Sequence, residues 1–589
     1  MTLARLRLAA LVAVLCLAAA PFLVSSFSVT LLNYIGVYAL VAIGLALLTG
    51  IGGIISFGQA AFVGIAAYSS AWVSAVSGYS PWLGLCLAVV LTCSVAAFLG
   101  LITLRLRGHF LSLSTIAWGL AIYFLFGNIP TLGNFNGIAA IPPIPIGSLK
   151  LSGSAQIYYL IWAIVVVCLV LSYNLLNSRM GRALRALRGG KILVESLGIN
   201  AFRVKLAAFV IAAFLASLSG WLYAHLSTFI SPSPFGAEMG IEYLMMAMVG
   251  GSGSPIGGVL GAALVTLLKN GIQDYLPLIT KGASGELEIV VFSTLFILFL
   301  QRAPRGIVPF VARFMPQLRH VAPGTIAKLP VRAQPAPGYP LLIVQDVERR
   351  FGGLIAVNHV SFEVNAGEIL GLIGPNGAGK STMFNLLTGA LRVGQGQITF
   401  AGQGICGQSQ SHIARAGIAR TFQHVKLRPR MTLLDNVLLG AHPRLHAGLL
   451  RGALRLDRAE EASAHAEALR QLARVGLSDD PFMLAGNLPL GKQRLLEIAR
   501  ALAADPLLLV LDEPAAGLRR QEKLRMAELL IALRDEHLTI LLVEHDMEFV
   551  MGLVDRIVVM DFGSKLCEDA PAAIRADPRV QEAYLGSIA

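Results

Sequence analysis

Apolar residues fill long runs near positions 6–26, 30–50, 53–77, 82–104, 110–129, 156–177, 206–228 and 286–301. Each approaches the length of about 20 helical residues that crosses a bilayer. The stretch 239–270 is equally apolar but is interrupted by Gly250-Gly251-Ser252-Gly253-Ser254-Pro255, which cannot continue a helix, so it predicts two short helices or a re-entrant hairpin lining a cavity. From about 303 the pattern changes. Residues 303–340 hold eight prolines among basic and small residues, with no sustained apolar period, and read as a linker. Beyond it come short, fully apolar runs suited to buried parallel strands: Ile369–Ile373, Leu507–Leu511 and Thr539–Val543. The chain therefore divides into a membrane domain over 1–303, a Pro-rich linker over 304–340 and an α/β domain over 341–589.

Basic residues fix an expected topology. Arg105 and Arg107, then Arg179, Arg182, Arg185, Arg188, Lys191, Arg203 and Lys205, then Arg302, Arg305 and Arg313 stand in loops between apolar runs. Placing all three groups in the cytoplasm gives about ten membrane segments with the N-terminus inside. Residues 1–26 read as a retained first helix rather than a signal peptide, because no small-residue cleavage site closes the run. Ionisable residues are nearly absent from the spans, which argues against a proton-coupled carrier. Glu242 and Glu288 are the exceptions, each either a helix-end residue at the interface or a functional group in the membrane. The loop 179–205 is rich in helix formers and predicts a short helix across the membrane base, either a docking element or a positive topology anchor.

Composition agrees with the pattern. Mean hydropathy of +0.69 with only 14% charged residues is too apolar for an average soluble protein of 589 residues. The net charge of +13 suggests nucleic acid at first sight, but its loop placement is explained by topology, and no nucleic-acid partner is expected. Six scattered cysteines form neither a metal-ligand spacing nor a disulfide framework.

The strongest chemistry lies after the strand Ile369–Ile373. Gly374-Pro375-Asn376-Gly377-Ala378-Gly379-Lys380-Ser381-Thr382 satisfies G-x-x-x-x-G-K-[ST] and runs into an apolar helix start. Its glycines let backbone N–H groups wrap the phosphates of ATP; Lys380 is expected to reach the β/γ-phosphates and Ser381 to hold Mg²⁺. The strand Leu507–Leu511 ends in Asp512 and Glu513, expected as metal partner and general base. The strand Thr539–Val543 ends in Glu544 and His545. A lone histidine is often structural, yet this one stands at the C-terminal strand edge where parallel sheets bind ligands.

Two further sets of residues carry a family resemblance. Residues 341–589, with Arg420-Thr421-Phe422-Gln423, LDEPAAGL, VEHDM and a terminal AYLG, resemble an ABC-transporter nucleotide-binding domain. Residues 30–300, with IGVYALVAIGLALLTGIGGIISFGQAAF, LRLRGHFLSLSTIAWG and MVGGSGSPIGGVLGAAL, resemble the permease of the branched-chain amino acid uptake branch. The expected fold is thus a polytopic α-helical membrane domain followed by an ABC-type P-loop ATPase. The resemblance implies that Phe351 stacks on adenine, that Gln423 links Mg²⁺ and attacking water to the permease interface, that His545 meets the γ-phosphate, and that 182–198 is the coupling helix. It further implies a multi-pass protein of the bacterial inner membrane with its ATPase in the cytoplasm. The expected partners are a second ATPase, a second permease, a periplasmic substrate-binding protein and membrane lipid.

One departure bears on mechanism. The family signature Leu-Ser-Gly-Gly-Gln stands here as Leu488-Pro489-Leu490-Gly491-Lys492, and Arg519 replaces the usual Asn or Asp after the Walker B carboxylates. Proline is tolerated in a first helical turn, so the helix is expected to survive without its serine donor. Since the family pairs cassettes head to tail, a homodimer would carry two impaired sites. A partner cassette with an intact signature is therefore expected, unless the variation is tolerated drift. Urea or short-chain amide import is the alternative within transport. A non-catalytic, nucleotide-sensing channel regulator is the alternative from another class, and an exporter is disfavoured by the short loops.

Overall fold

The computed structural model describes residues 15–106, 108–251, 253–280, 285–304, 306–312 and 328–585. It forms two compact units, one of residues 1–177 with 202–320, the other of 178–201 with 321–589. In the first unit the apolar runs are helices: α1 Ser26–Leu45, α2 Gln59–Ala71, α3 Pro81–Thr103, α4 His109–Asn128 and α5 Ser154–Leu176. A short hairpin, β1 Ile144–Ile146 with β2 Leu149–Leu151, lies between the last two. After the loop segment α6 Arg179–Ala186 and α7 Lys191–Ser196, which belongs to the second unit, follow α8 Ala201–Ser227, α9 Ala237–Gly251, α10 Pro255–Thr280 and α11 Gly285–Arg302.

Seven helices among the described residues are long and apolar enough to cross a membrane: α1 to α5, α8 and α10. The expectation of about ten also counted 6–26, of which residues 6–14 lie outside the described residues, the shorter α9, and α11. The interruption at 250–255 does end one helix and begin another, with Pro255 opening α10, but only α9 is short: α10 runs for 26 residues and is itself long enough to span a membrane. Here α9 and α10 pack backbone on backbone: a Cβ on Gly250 would stand 1.6 Å from the Gly257 carbonyl oxygen, and one on Gly261 1.8 Å from that of Met246. Small residues permit such approach in lipid, where dispersion rather than water exclusion drives association. Glu288 stands at the start of α11, as a helix-end residue would, whereas Glu242 lies inside α9 and meets Lys269 of α10 at 2.6 Å.

In the second unit, β3 Pro340–Phe351, β4 Leu354–Asn365, β6 Gln395–Phe400 and β7 Gln403–Gly404 form an antiparallel sheet in the order β4-β3-β6-β7. The main sheet combines β5 Ile369–Ile373, β8 Ile418–Arg420, β9 Leu508–Asp512, β10 Thr539–Val543, β11 Arg556–Asp561 and β12 Ser564–Asp569 in the order β12-β11-β5-β10-β9-β8. All its pairings are parallel except β11 with β12. Every residue of β5, β9 and β10 is buried, so these strands read as unbroken apolar runs. One core, with Met383 and Phe384, fills the space toward the antiparallel sheet. The other packs Leu434, Leu496 and Leu530 from flanking helices against Leu509 and Leu542.

Part of the expected linker is built into this unit. Leu329 is buried in the second core, the Arg332 N–H donates to Asp505 Oδ2 at 2.5 Å, and Arg444 donates to the Pro330 carbonyl at 2.9 Å.

Candidate active site

Three neighbouring strands of the main sheet, β5, β10 and β9, end level with one another, Val543 pairing both Leu372 and Asp512. Ligands of open α/β sheets bind at this carboxyl edge. From β5 the chain enters the loop 374–379 and then α12, Lys380–Leu387. Gly374 and Gly379 adopt φ of 152° and 94°. A Cβ on Gly374 would lie 2.1 Å from the Met560 carbonyl oxygen, and one on Gly379 2.3 Å from that of Ala356, so no other residue fits. Pro375, Asn376, Gly377 and Ala378 complete the loop, and Ser381 and Thr382 stand in the first turn of α12, where unpaired N–H groups favour anions. Lys380 is buried; its Nζ donates to the carbonyls of Gly374 at 2.7 Å and Pro375 at 2.8 Å. Burial lowers its basicity, opposed by the nearby Glu513 carboxylate.

Asp512 closes β9 and Glu513 follows it, in different surroundings. Asp512 is buried, its carboxyl raised by burial against the pull of the Arg420 guanidinium. Glu513 takes φ of 48°, a left-handed conformation rarely adopted by a side-chain-bearing residue, and its N–H is fixed on the Val543 carbonyl at 2.8 Å. That turn aims its carboxylate at Gln423 Nε2, 3.1 Å from both oxygens, and at His545 Nε2, 3.1 Å away. Three residues separated widely in sequence thus share one point at the sheet edge. Phe351 ends β3 as an exposed residue, with the Arg349 guanidinium 4.9 Å from its ring centroid.

Several contacts that the sequence does not reveal brace this site. Helix α13, Leu433–Gly440, and α14, Arg458–Arg474, precede the signature helix α15, Leu490–Leu502, which grips the Gln423 loop through one face. Arg494 donates to the carbonyls of Phe422 at 2.8 Å and Gln423 at 2.6 Å; Glu497 accepts from the Lys426 N–H at 2.9 Å; Arg500 donates to the Lys426 carbonyl at 2.6 Å. Helix α16, Arg520–Asp535, follows Arg519, whose N–H donates to Glu522 at 2.9 Å. From α17, Pro578–Leu585, the Tyr584 hydroxyl accepts the Gly374 N–H at 2.7 Å, tying the chain's end to the phosphate loop. Burial pushes that phenol up to about 12. Pro489 stands just before α15 at the cap position, with φ −65° and ψ 158°, rather than within the first turn, and caps nothing. The helix survives the substitution because the position is extended, which proline adopts freely.

The loop 178–201 folds against this domain as two short helices. Gly190, at φ 91°, separates α6 from α7 where the sequence predicted one helix. Arg182, 4% exposed at its side chain, binds Glu461 of α14 in a fork, Nη1 to Oε2 at 2.6 Å and Nη2 to Oε1 at 2.8 Å, while the Arg179 N–H donates to the same carboxylate at 2.8 Å. Arg415 adds a bond to the Gly198 carbonyl at 2.8 Å.

The loop 374–382 at the sheet edge, with Gln423 and His545 converging on Glu513 beside it, is the arrangement of an ABC-class ATPase, and the same chain carries an apolar helical unit suited to a membrane. Residues 27–300 match the family described as branched-chain amino acid transport system, permease component; residues 357–516 match ABC transporter; residues 564–589 match branched-chain amino acid ATP-binding cassette transporter. The High-affinity branched-chain amino acid transport ATP-binding protein LivG of Salmonella typhimurium is 47% identical over 250 residues, 42% of this chain and 98% of the relative. The corresponding protein BraF of Pseudomonas aeruginosa is 43% identical over the same extents. A nucleotide-free ATP-binding cassette of an ABC transporter, known from its crystal structure, is 31% identical over 42% of this chain and 99% of its own, with a TM-score of 0.38. The chain belongs to the branched-chain amino acid ABC transporter family and carries that family's permease and ATP-binding domains on one polypeptide. It is a multi-pass membrane protein with a cassette that binds ATP and couples its hydrolysis to transport, alongside a partner ATPase and permease.

Proposed function

We propose that this chain imports branched-chain amino acids across the bacterial inner membrane, with its cassette in the cytoplasm, and receives solute from a periplasmic binding protein. The single observation that carries the catalytic half is the convergence of Gln423 and His545 on the Glu513 carboxylate. In the reading we favour, Glu513 takes a proton from water as its oxygen bonds the γ-phosphorus and the bridging bond to ADP breaks, releasing inorganic phosphate. His545 and Lys380 stabilise charge on the transferred group, the loop 374–382 holds the phosphates, and Phe351 stacks on adenine. Mg²⁺, when bound, neutralises phosphate charge, and Ser381, Gln423 and Asp512 supply the hard oxygen donors that suit it. Residues 1–303 are the permease, 341–589 the ATPase, and the segment 182–198 the element that carries motion between them. Uptake by reconstituted vesicles tests the substrate: leucine, isoleucine and valine accumulate with ATP, while accumulation of urea or acetamide in their place refutes the reading.

The degenerate signature predicts pairing with a second, intact cassette. Pro489 offers no hydroxyl to a phosphate across a dimer, a loss of roughly 1.5–3 kcal/mol for a hydrogen bond to a charged group. The chain purified alone should therefore hydrolyse ATP about tenfold or more slower than with the partner, and Pro489→Ser should recover part of the deficit. Full turnover by the lone wild-type chain contradicts this pairing.

A further inference from the structure

The membrane unit holds an ion pair that neither the motor nor the helix packing uses. Glu242 lies inside α9 and Lys269 inside α10, with Lys269 Nζ donating to Glu242 Oε1 at 2.6 Å; 15% and 39% of their side-chain surfaces stay open. Ionised groups within the apolar helices of a membrane protein are costly, and such a residue is by default a candidate functional site. Packing gives no reason for the pair, because two apolar side chains join helices as well or better, and α9 and α10 already meet through Gly250, Gly257 and Gly261. Beside Glu242, Tyr243 begins a row of rings: it meets Tyr38 of α1 edge-on at 5.7 Å, and Tyr38 meets Tyr34 at 5.9 Å. Thr266, one helical turn from Lys269, has a buried hydroxyl with no hydrogen-bond partner among the described residues.

We propose that Glu242 and Lys269, with the adjoining Tyr38 and Tyr243, form a recognition station for the zwitterionic head and apolar side chain of a neutral amino acid. The proposal rests on the amino acid importer reading and names where the permease senses its solute. The solute enters between the two charges, its ammonium on Glu242 and its carboxylate on Lys269, so one ion pair becomes two and the site stays neutral throughout. A net cation or anion would leave one charge unbalanced in low dielectric, which is a penalty against both. The tyrosine faces supply an apolar wall for the side chain.

The test uses the complete transporter in vesicles and compares wild type with the neutral pair Glu242→Gln plus Lys269→Met, both assembled and matched by thermal melting. We expect leucine moved per ATP hydrolysed to fall about tenfold or more in the neutral pair, as expected when charge-assisted bonds to a solute are lost. Wild-type stoichiometry in the neutral pair overturns the station, since a packing role survives that exchange. A photoreactive diazirine analogue of leucine, applied to turning-over wild type, should label residues 237–280 in competition with leucine. Labelling elsewhere only would overturn the station without need of any variant. If wild-type vesicles take up no leucine at all, the importer reading itself fails, a result distinct from either.

Discussion

Glu513→Gln should lower ATP turnover by the complete transporter about 10²- to 10⁴-fold while nucleotide still binds. The substitution keeps the size of the side chain and its place beside Gln423 and His545, but removes the group that takes the proton from attacking water. The left-handed turn at Glu513 holds the side chain where strand β9 ends, and a backbone held in a sparsely populated conformation costs of order 1–3 kcal/mol, tolerated where surrounding structure enforces it. Steady-state phosphate release, read beside binding of a fluorescent ATP analogue, checks the prediction. Undiminished turnover would favour the alternative class of nucleotide-sensing regulator.

Much of this site is legible in the sequence alone. The loop 374–382 is contiguous, and its strand-loop-helix setting follows from the burial of Ile369–Ile373 and the apolar face of α12. Asp512, Glu513 and His545 are legible because both strands are continuous apolar runs that end abruptly in polar residues. The break at 250–255 is equally plain, since glycine and proline disrupt helices by backbone chemistry alone. Contacts between distant segments escape, because a hydrophobic period tells which face is buried and never what covers it. Arg494, Glu497 and Arg500 look like an ordinary charged helix face, yet they hold the backbone at Phe422, Gln423 and Lys426. Tyr584 is a family marker in sequence and a phosphate-loop ligand in the fold. Glu242 is ambiguous until Lys269, on the next helix, is found against it.

Arg182→Ala should uncouple the machine. Glu461 then stays near-buried, at 13% exposure, without its forked partner, and breaking a buried pair from one side costs about 3–5 kcal/mol because an uncompensated charge remains. The expected loss falls on the seating of α6 against α14, some distance along the chain from the phosphate loop. ATP hydrolysis should persist, while leucine transport per ATP falls about tenfold or more. The exchange Arg182→Glu with Glu461→Arg restores opposite charges at the same place and should recover part of the transport, which a purely steric defect would not allow. Coupled transport by Arg182→Ala at the wild-type ratio would show that this segment carries no motion.

Lipid vesicles that contain this chain with its second permease, second cassette and binding protein allow the central claim to be measured directly, by following leucine accumulation against its gradient. With ATP on the cassette side the solute should concentrate in the compartment opposite the binding protein, and with a non-cleavable ATP analogue it should not exceed equilibrium. Equal accumulation with both nucleotides would contradict a transporter driven by hydrolysis at Glu513.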